Sequence, residues 1–367
     1  MPNFKFCDRI CEMSVDVKIF MQTSINSTCL NNWLVETQKV EAFNSPACYF
    51  PLMNGRYEVK PGMMAFGSCL GNGEADGQVF QIDENFAHYR QAKLLARAER
   101  LSKYYQTHNY SKAVAGAIAR LIVERLTQEH PQYFGYQKST ANTLIFSSQL
   151  TKETLYLDAD WQLQRVEGSS VFPAYTSTFD ALAAQVQEDF TVICRGNDGC
   201  NWLSAVHLCY PNHWSAEEKI GKDFAAIHTP VAGIEKINRR ADAIVNTMIN
   251  CKPMVRFAWG LSTDIRLNHH PEPPTGLAVE QWQGRNFDLQ HPSLYLRIER
   301  QVIWGLPDYE AALFTIRTYF RDCSLIKKDS LLRVKLCAAI DSMSAESLIY
   351  KGLANSKASI LRWLNEV

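Results

Sequence analysis

No two cysteines in this chain are spaced Cys-x-x-Cys, although eleven cysteines are present. Cys7 and Cys11 stand four apart, Cys194 and Cys200 six apart, and the others are isolated, so the spacing supports neither a zinc knuckle nor a dithiol redox motif. An odd number of scattered thiols fits reduced cysteines in a reducing compartment. Charge of one sign is also missing in excess. The 38 Lys and Arg balance 38 Asp and Glu, for a formal net charge of zero. Nucleic acid and anionic membranes, which call for clustered basic charge, are therefore not expected partners. Nowhere does an apolar run approach the ~18 residues of a membrane-spanning helix. In the opening "MPNFKFCDRICEMSVDVKIF", Lys5, Asp8, Arg9, Glu12, Asp16 and Lys18 break up any secretory h-region, and the expectation is a soluble cytoplasmic protein. Rossmann and Walker glycine patterns are absent too. "GSCLGNGEADG" (67–77) is glycine-rich but lacks the strand-to-helix setting of a phosphate cradle. Redox chemistry would thus need electrons from another protein.

What is present is an ordinary globular composition, 46% apolar and 21% charged over 367 residues, long enough for one large domain or two smaller ones. Such a length sustains a core without staples. Residues 1–45 are polar and weakly patterned, and they stay unassigned. The stretch 49–77 reads as loop, with turns at Asn54-Gly55 and Pro61-Gly62. Two helices follow. One covers roughly 83–105 and contains Phe86, Tyr89, Lys93, Leu94 and Ala96. The other carries a stripe of Val114, Ile118, Leu121, Ile122 and Leu126, and together they give a helical part over 80–135.

From about residue 140 strand patterns take over, in "TLIFSSQ", "TLYLDAD", "FTVIC" (190–194) and "LSAVHLCY" (203–210), with a short helix at Thr178 to Val186. The helical region 215–250 opens with "SAEE", where Ser215 and Glu218 form a capping box. "MVRFAWGL" (254–261), "LYLRIERQVIWGL" (294–306) and "AALFTIRTYF" (311–320) complete the order strand, strand, helices, three strands. That order indicates an α+β fold with an antiparallel sheet in the part 140–325, not βαβ units. The tail 326–367 reads as an amphipathic helical extension.

Side chains alternate along a strand with period two. In "LYLRIERQV" one row holds Tyr295, Arg297, Glu299 and Gln301, and in "LFTIRTYF" one row holds Thr315, Arg317 and Tyr319. A hairpin through "GLPDYEA" would set these two rows side by side, as a ligand site or as a solvated face with cross-strand ion pairs. Arg300 falls on the apolar row, where a buried guanidinium needs an anion. Among the histidines, His269-His270 sits in a proline-rich loop and reads as surface, His291 terminates that loop, and His207 lies mid-strand as a satisfied core residue. His228 in "AAIHTPVAG" follows a short helix of small side chains and precedes Pro230, which fixes the backbone that aims it. The pattern leaves open whether it is packed or a ligand.

Two blocks, "HLCYPNHWSAEEKIGKDFAAIHTPV" and "LRIERQVIWGLPDYEAALFTIRTY", resemble the alpha subunit of haem-dependent oxidative N-demethylases, formerly a domain of unknown function. "FQIDENFAHYRQAK" and "VQEDF" are weaker landmarks, and the likeness runs over about 45–325. Ala258 in "RFAWG" departs from it, since many members are expected to carry Asn there.

The resemblance implies a PAS-like sheet with flanking helices that holds haem b. It implies a monooxygenase-type oxidoreductase that oxidises a small secondary amine with dioxygen and releases formaldehyde. Electrons would come from a separate flavin and iron–sulfur reductase subunit. A non-catalytic PAS-like protein binding haem or another small molecule is the alternative. In haem-carrying PAS domains the iron-binding histidine lies on the helix before the final strands. His228 has that place, with His207 and then Cys209 as other choices of metal ligand. Arg297, Arg300, Arg317 and Lys219 are then candidates for the haem propionates, with Thr315 and Gln301 beside them. Glu299, Tyr319 and Trp214 are candidates for the protonated amine.

Overall fold

The computed structural model describes residues 47–139 and 142–366, so the unassigned segment 1–45 lies outside the described residues. After an irregular stretch holding β1 (Met64–Ala65), α1 (Phe86–Tyr104) and α2 (Lys112–Glu129) flank the short β2 (Tyr105–Thr107). The stripe on α2 is real: Val114, Ile118, Ile122 and Leu126 are buried, and Ser111 caps the helix by accepting from the Val114 amide.

Next come β3 (Phe134–Lys138), β4 (Leu144–Ser148), β5 (Glu153–Leu157) and β6 (Leu163–Glu167), an antiparallel meander forming its own four-stranded sheet. Buried and half-buried residues alternate on β4 and β5, as their sequences indicate. β3 buries only Phe134 and β6 buries nothing, which leaves no alternation to read.

The larger sheet starts after α3 (Thr178–Ala183), with β7 (Asp189–Arg195) and β8 (Asn201–His207). Four short helices follow: α4 (Ala216–Lys219), α5 (Phe224–His228), α6 (Glu235–Asn238) and α7 (Ala241–Asn250). Then come β9 (Met254–Ser262), the short α8 (Val279–Trp282), β10 (Tyr295–Leu306) and β11 (Ala311–Asp322). The tail folds as α9 (Cys323–Lys328), α10 (Ser330–Asp341), α11 (Ala345–Tyr350) and α12 (Lys357–Asn365).

Seven antiparallel strands run in the order β1-β9-β10-β11-β7-β8-β2. Counted from β7, the five main strands lie 2-1-5-4-3, with α4 to α7 inserted between the second and third. The fold is α+β, with the PAS-like sheet that the sequence led us to expect. Among the described residues, no helix is long and apolar enough to cross a membrane.

The two faces of this sheet differ. One packs Phe190, Val192, Ala205, Val255, Val302 and Leu313 against α2 and α3. The other packs Ile303, Ala312 and Phe314 against Val245, Met248 and Ile249 of α7, and Ile316 and Val206 against Trp214, Ile220 and Ile227. α7 approaches closely enough that a Cβ at Gly305 would stand 2.1 Å from the Ile249 carbonyl oxygen.

One expectation is corrected by the register. Leu306 pairs with Ala311 across a tight connection that ends in left-handed Glu310, φ 47°. Arg297, Glu299 and Gln301 therefore oppose Phe320, Thr318 and Ile316, while Thr315, Arg317 and Tyr319 oppose Val302, Arg300 and Ile298. The two polar rows lie on opposite faces, not side by side.

Candidate functional site

α5 is held by Asp223, whose carboxylate accepts from the Ala226 amide 2.7 Å away. Its sequence, FAAIH, is apolar enough to be core, yet none of its residues is buried. Phe224 packs against the apolar cluster of α7 and the sheet, and Ile227 against the cluster of Val206 and Ile316, each staying partly exposed. At its end, His228 Nδ1 lies 2.7 Å from the Phe224 carbonyl, to which it donates, and the two rings sit 4.3 Å apart. That bond fixes the tautomer and leaves the Nε2 lone pair available. Burial holds the ring's pKa below the usual histidine value, and the charges of Arg256 and Lys219 push the same way, so the imidazole is neutral.

Lys219 stands beside this helix, and its ammonium donates to the Ile227 carbonyl, one residue before His228. Trp214 is half-buried among Ile220, Ile227 and Phe314. Below, on the same face of the sheet, lie Arg256, Arg297, Glu299, Gln301 and Thr318. Arg297 is tied down through its Nη atoms, which donate to the carbonyls of Tyr210 at 2.7 Å and Leu267 at 3.0 Å, while its Nε has no hydrogen-bond partner among the described residues. Glu299 is engaged too, with Gln301 Nε2 at 3.0 Å and Arg297 Nε at 3.9 Å. Gln301 Oε1 and Thr318 Oγ1 are buried without a partner among the described residues.

Arg256 is the residue that reading the sequence missed. It pairs with Gln301 across β9 and β10, its Nε is buried without a partner, and burial lowers its pKa, with Glu299 only partly opposing. The signal was there, since "MVRFAWGL" puts Arg256 on one row with Met254 and Ala258, but nothing in the row shows that the guanidinium lacks an anion. Lys351 is a second omission. Its ammonium donates to the Trp259 carbonyl at 2.7 Å, and burial pulls its pKa down to about 8.

Four candidates lie across the sheet from His228. Arg300 donates to the carbonyls of Gln78 at 2.8 Å and Asp76 at 3.3 Å. Arg317 pairs with Asp83 at 2.8 Å and stands 3.9 Å from Glu188. The Tyr319 hydroxyl donates to Gln81, and Thr315 faces Val302 and Phe190. Arg300, Arg317 and Tyr319 join the sheet to the 76–83 loop, and Arg317 also stacks on Tyr89 of α1, while Thr315 Oγ1 has no partner among the described residues.

His207 and Cys209 occupy a third environment. With Asp189 they form a buried group whose donor atoms lie within 4.8 Å of one another. Two are already committed: His207 Nε2 lies 3.2 Å from Asp180, and Asp189 accepts the Cys209 and Tyr210 amides at 2.9 and 2.6 Å. The Lys93 ammonium stands 3.9 Å from Asp189, and burial pushes the Cys209 thiol far up, away from a thiolate.

The histidine pair expected on the surface is a correction: His269 and His270 are 1% and 3% exposed. Their loop folds back because Trp282 Nε1 donates to the His270 carbonyl at 2.7 Å, while His269 Nε2 bonds Asp264 at 2.8 Å. His291 is exposed beside Asp288.

The geometry defines an α+β protein with a PAS-like sheet, one face tied to the 76–83 loop and the other carrying an imidazole whose Nδ1 is bonded to the backbone. The chain belongs to the haem-dependent oxidative N-demethylase, alpha subunit-like family, whose family model matches residues 73–361. The match runs through the C-terminal helices, beyond the 325 at which the sequence likeness was placed.

Proposed function

We propose that this chain holds haem b on His228 and demethylates a small secondary amine, taking electrons from a separate flavin and iron–sulfur subunit in the cytoplasm. The observation that carries the reading is the His228 Nδ1 bond to the Phe224 carbonyl, which leaves Nε2 to bind iron. That no residue of α5 is buried also supports it, because a flat tetrapyrrole bound there would cover apolar side chains that are now partly exposed. Bound there, the iron porphyrin would supply dioxygen activation.

The overall reaction balances when one N-methyl amine, one dioxygen, two electrons and two protons yield the demethylated amine, one formaldehyde and one water. A methyl C–H bond gives way to C–O, and the carbinolamine then breaks its C–N bond. The chain's own part is placement and exclusion of water. Trp214 offers an aromatic face to the amine, and Lys219 fixes the carbonyl next to His228. Glu299, screened by Gln301 and Arg297, is the carboxylate on this face that a protonated amine would approach. Arg300, Arg317, Thr315 and Tyr319 act through the fold.

The test is an absorption spectrum of protein expressed with haem supply, followed by formaldehyde assay with dimethylamine and a reductant. A Soret band that His228→Ala abolishes, together with formaldehyde release, is expected. A band unchanged in His228→Ala overturns the ligand assignment. A band without turnover on any methylated amine would favour the non-catalytic binder.

A further inference from the structure

The four arginines facing inward from β9, β10 and β11 are not equivalent. Arg297 and Arg300 are tied to backbone carbonyls and Arg317 to carboxylates. Arg256 alone among these four has neither a side-chain hydrogen bond nor a carboxylate within 4 Å among the described residues. The nearest acid, Glu299, has its oxygens engaged by Arg297 and Gln301. Arg256 is half-buried with its Nε out of water and unpartnered, which is costly, and an anion brought to the guanidinium relieves that cost. Arg256 lies on the face of the sheet below α5, close enough to His228 for its charge to act on the imidazole.

We infer that Arg256 receives a carboxylate from the bound cofactor, a propionate of the haem, with Gln301 as its neighbour in register. The inference rests on the haem reading above. It also reassigns the task for which the sequence suggested Arg297, Arg300 and Arg317, each of which already bonds carbonyls or a carboxylate of the protein through its Nη atoms, although its Nε, like that of Arg256, has no hydrogen-bond partner among the described residues. Arginine suits the role because its planar fork meets a carboxylate with two parallel N–H bonds, which a lysine cannot do.

The experiment titrates apo-protein with haem and with haem dimethyl ester, which keeps the porphyrin and removes both carboxylates. Wild type, Arg256→Gln and Arg256→Lys are compared by Soret absorbance. Wild type is expected to prefer the diacid by about tenfold or more, the scale of a charge-assisted hydrogen bond. Arg256→Gln should bind both forms alike, and Arg256→Lys should keep part of the preference.

The unfolding midpoint of each apo-protein supplies a second readout. Removing an uncompensated charge should leave Arg256→Gln at least as stable as wild type. A wild-type preference retained in Arg256→Gln overturns the inference. So does a variant too unstable to fold, which would mean that the guanidinium holds the protein and not the ligand. If wild type takes up neither porphyrin, the haem reading itself has failed, a result distinct from equal binding of both by every variant.

Discussion

Arg300 and Arg317 face each other directly across β10 and β11, two guanidinium groups buried side by side at 1% exposure each. They coexist because each has its own partners, the Asp76 and Gln78 carbonyls for one, Asp83 and Glu188 for the other. Breaking the second set leaves a buried carboxylate behind, so Arg317→Met should cost about 3–5 kcal/mol and Arg300→Met less. Because the two charges repel, the double variant should cost more than the sum of the singles, by about 0.5–3 kcal/mol. Urea denaturation of the four proteins measures this. A double variant costing less than the sum would show that the pair does not repel.

Lys219 reaches over to the carbonyl of Ile227, so Lys219→Met should loosen the end of α5 that presents His228. Haem affinity should fall by about tenfold, in line with one hydrogen bond from a charged donor. Global stability should change little, because no residue of α5 is buried. Spectral titration beside thermal unfolding separates the two effects.

Glu188 gives a pH signature. Burial raises its pKa to about 7, above the ordinary 4.5 of an unfolded glutamate. Between those values the folded chain keeps a proton that the unfolded chain has lost, so its contribution to stability is full below 4.5 and declines until about 7. Glu188→Gln should remove that slope, and the difference between wild type and variant should drift against wild type from about pH 5 to 7, then level off. Denaturant midpoints across that range decide it, and a parallel pair of curves would refute the assignment.

Gly305→Ala tests the seat of α7 on β10. The added methyl would press on the Ile249 carbonyl, and overpacking of this kind costs about 1–3 kcal/mol. Protection of α7 amides in hydrogen exchange should fall with it.

How far the sequence could be read depends on whether a feature is local. The helices and main strands were legible because apolar periodicity and turn residues mark them, down to Ser215, which accepts from the Glu218 amide at 3.2 Å. β3 and β6 were not, since strands exposed on most positions carry no alternation. Which polar row faced His228 turned on the connection Pro307 to Glu310, whose geometry offsets the hairpin by one residue. The burial of His269 depends on Trp282 and Arg297, distant in sequence, and the want of an anion at Arg256 is visible only when every neighbour is in place.

The contrast between the two faces of the large sheet has an evolutionary corollary. Behind the pleat, Arg300 and Arg317 are bound to carbonyls and carboxylates of the 76–83 loop, and substitution there is paid in folding. In front, spare valences at Arg256, Gln301, Thr318 and His228 can be exchanged without unravelling the scaffold. Sequence drift should therefore accumulate on odd and even positions of the same strands very unequally.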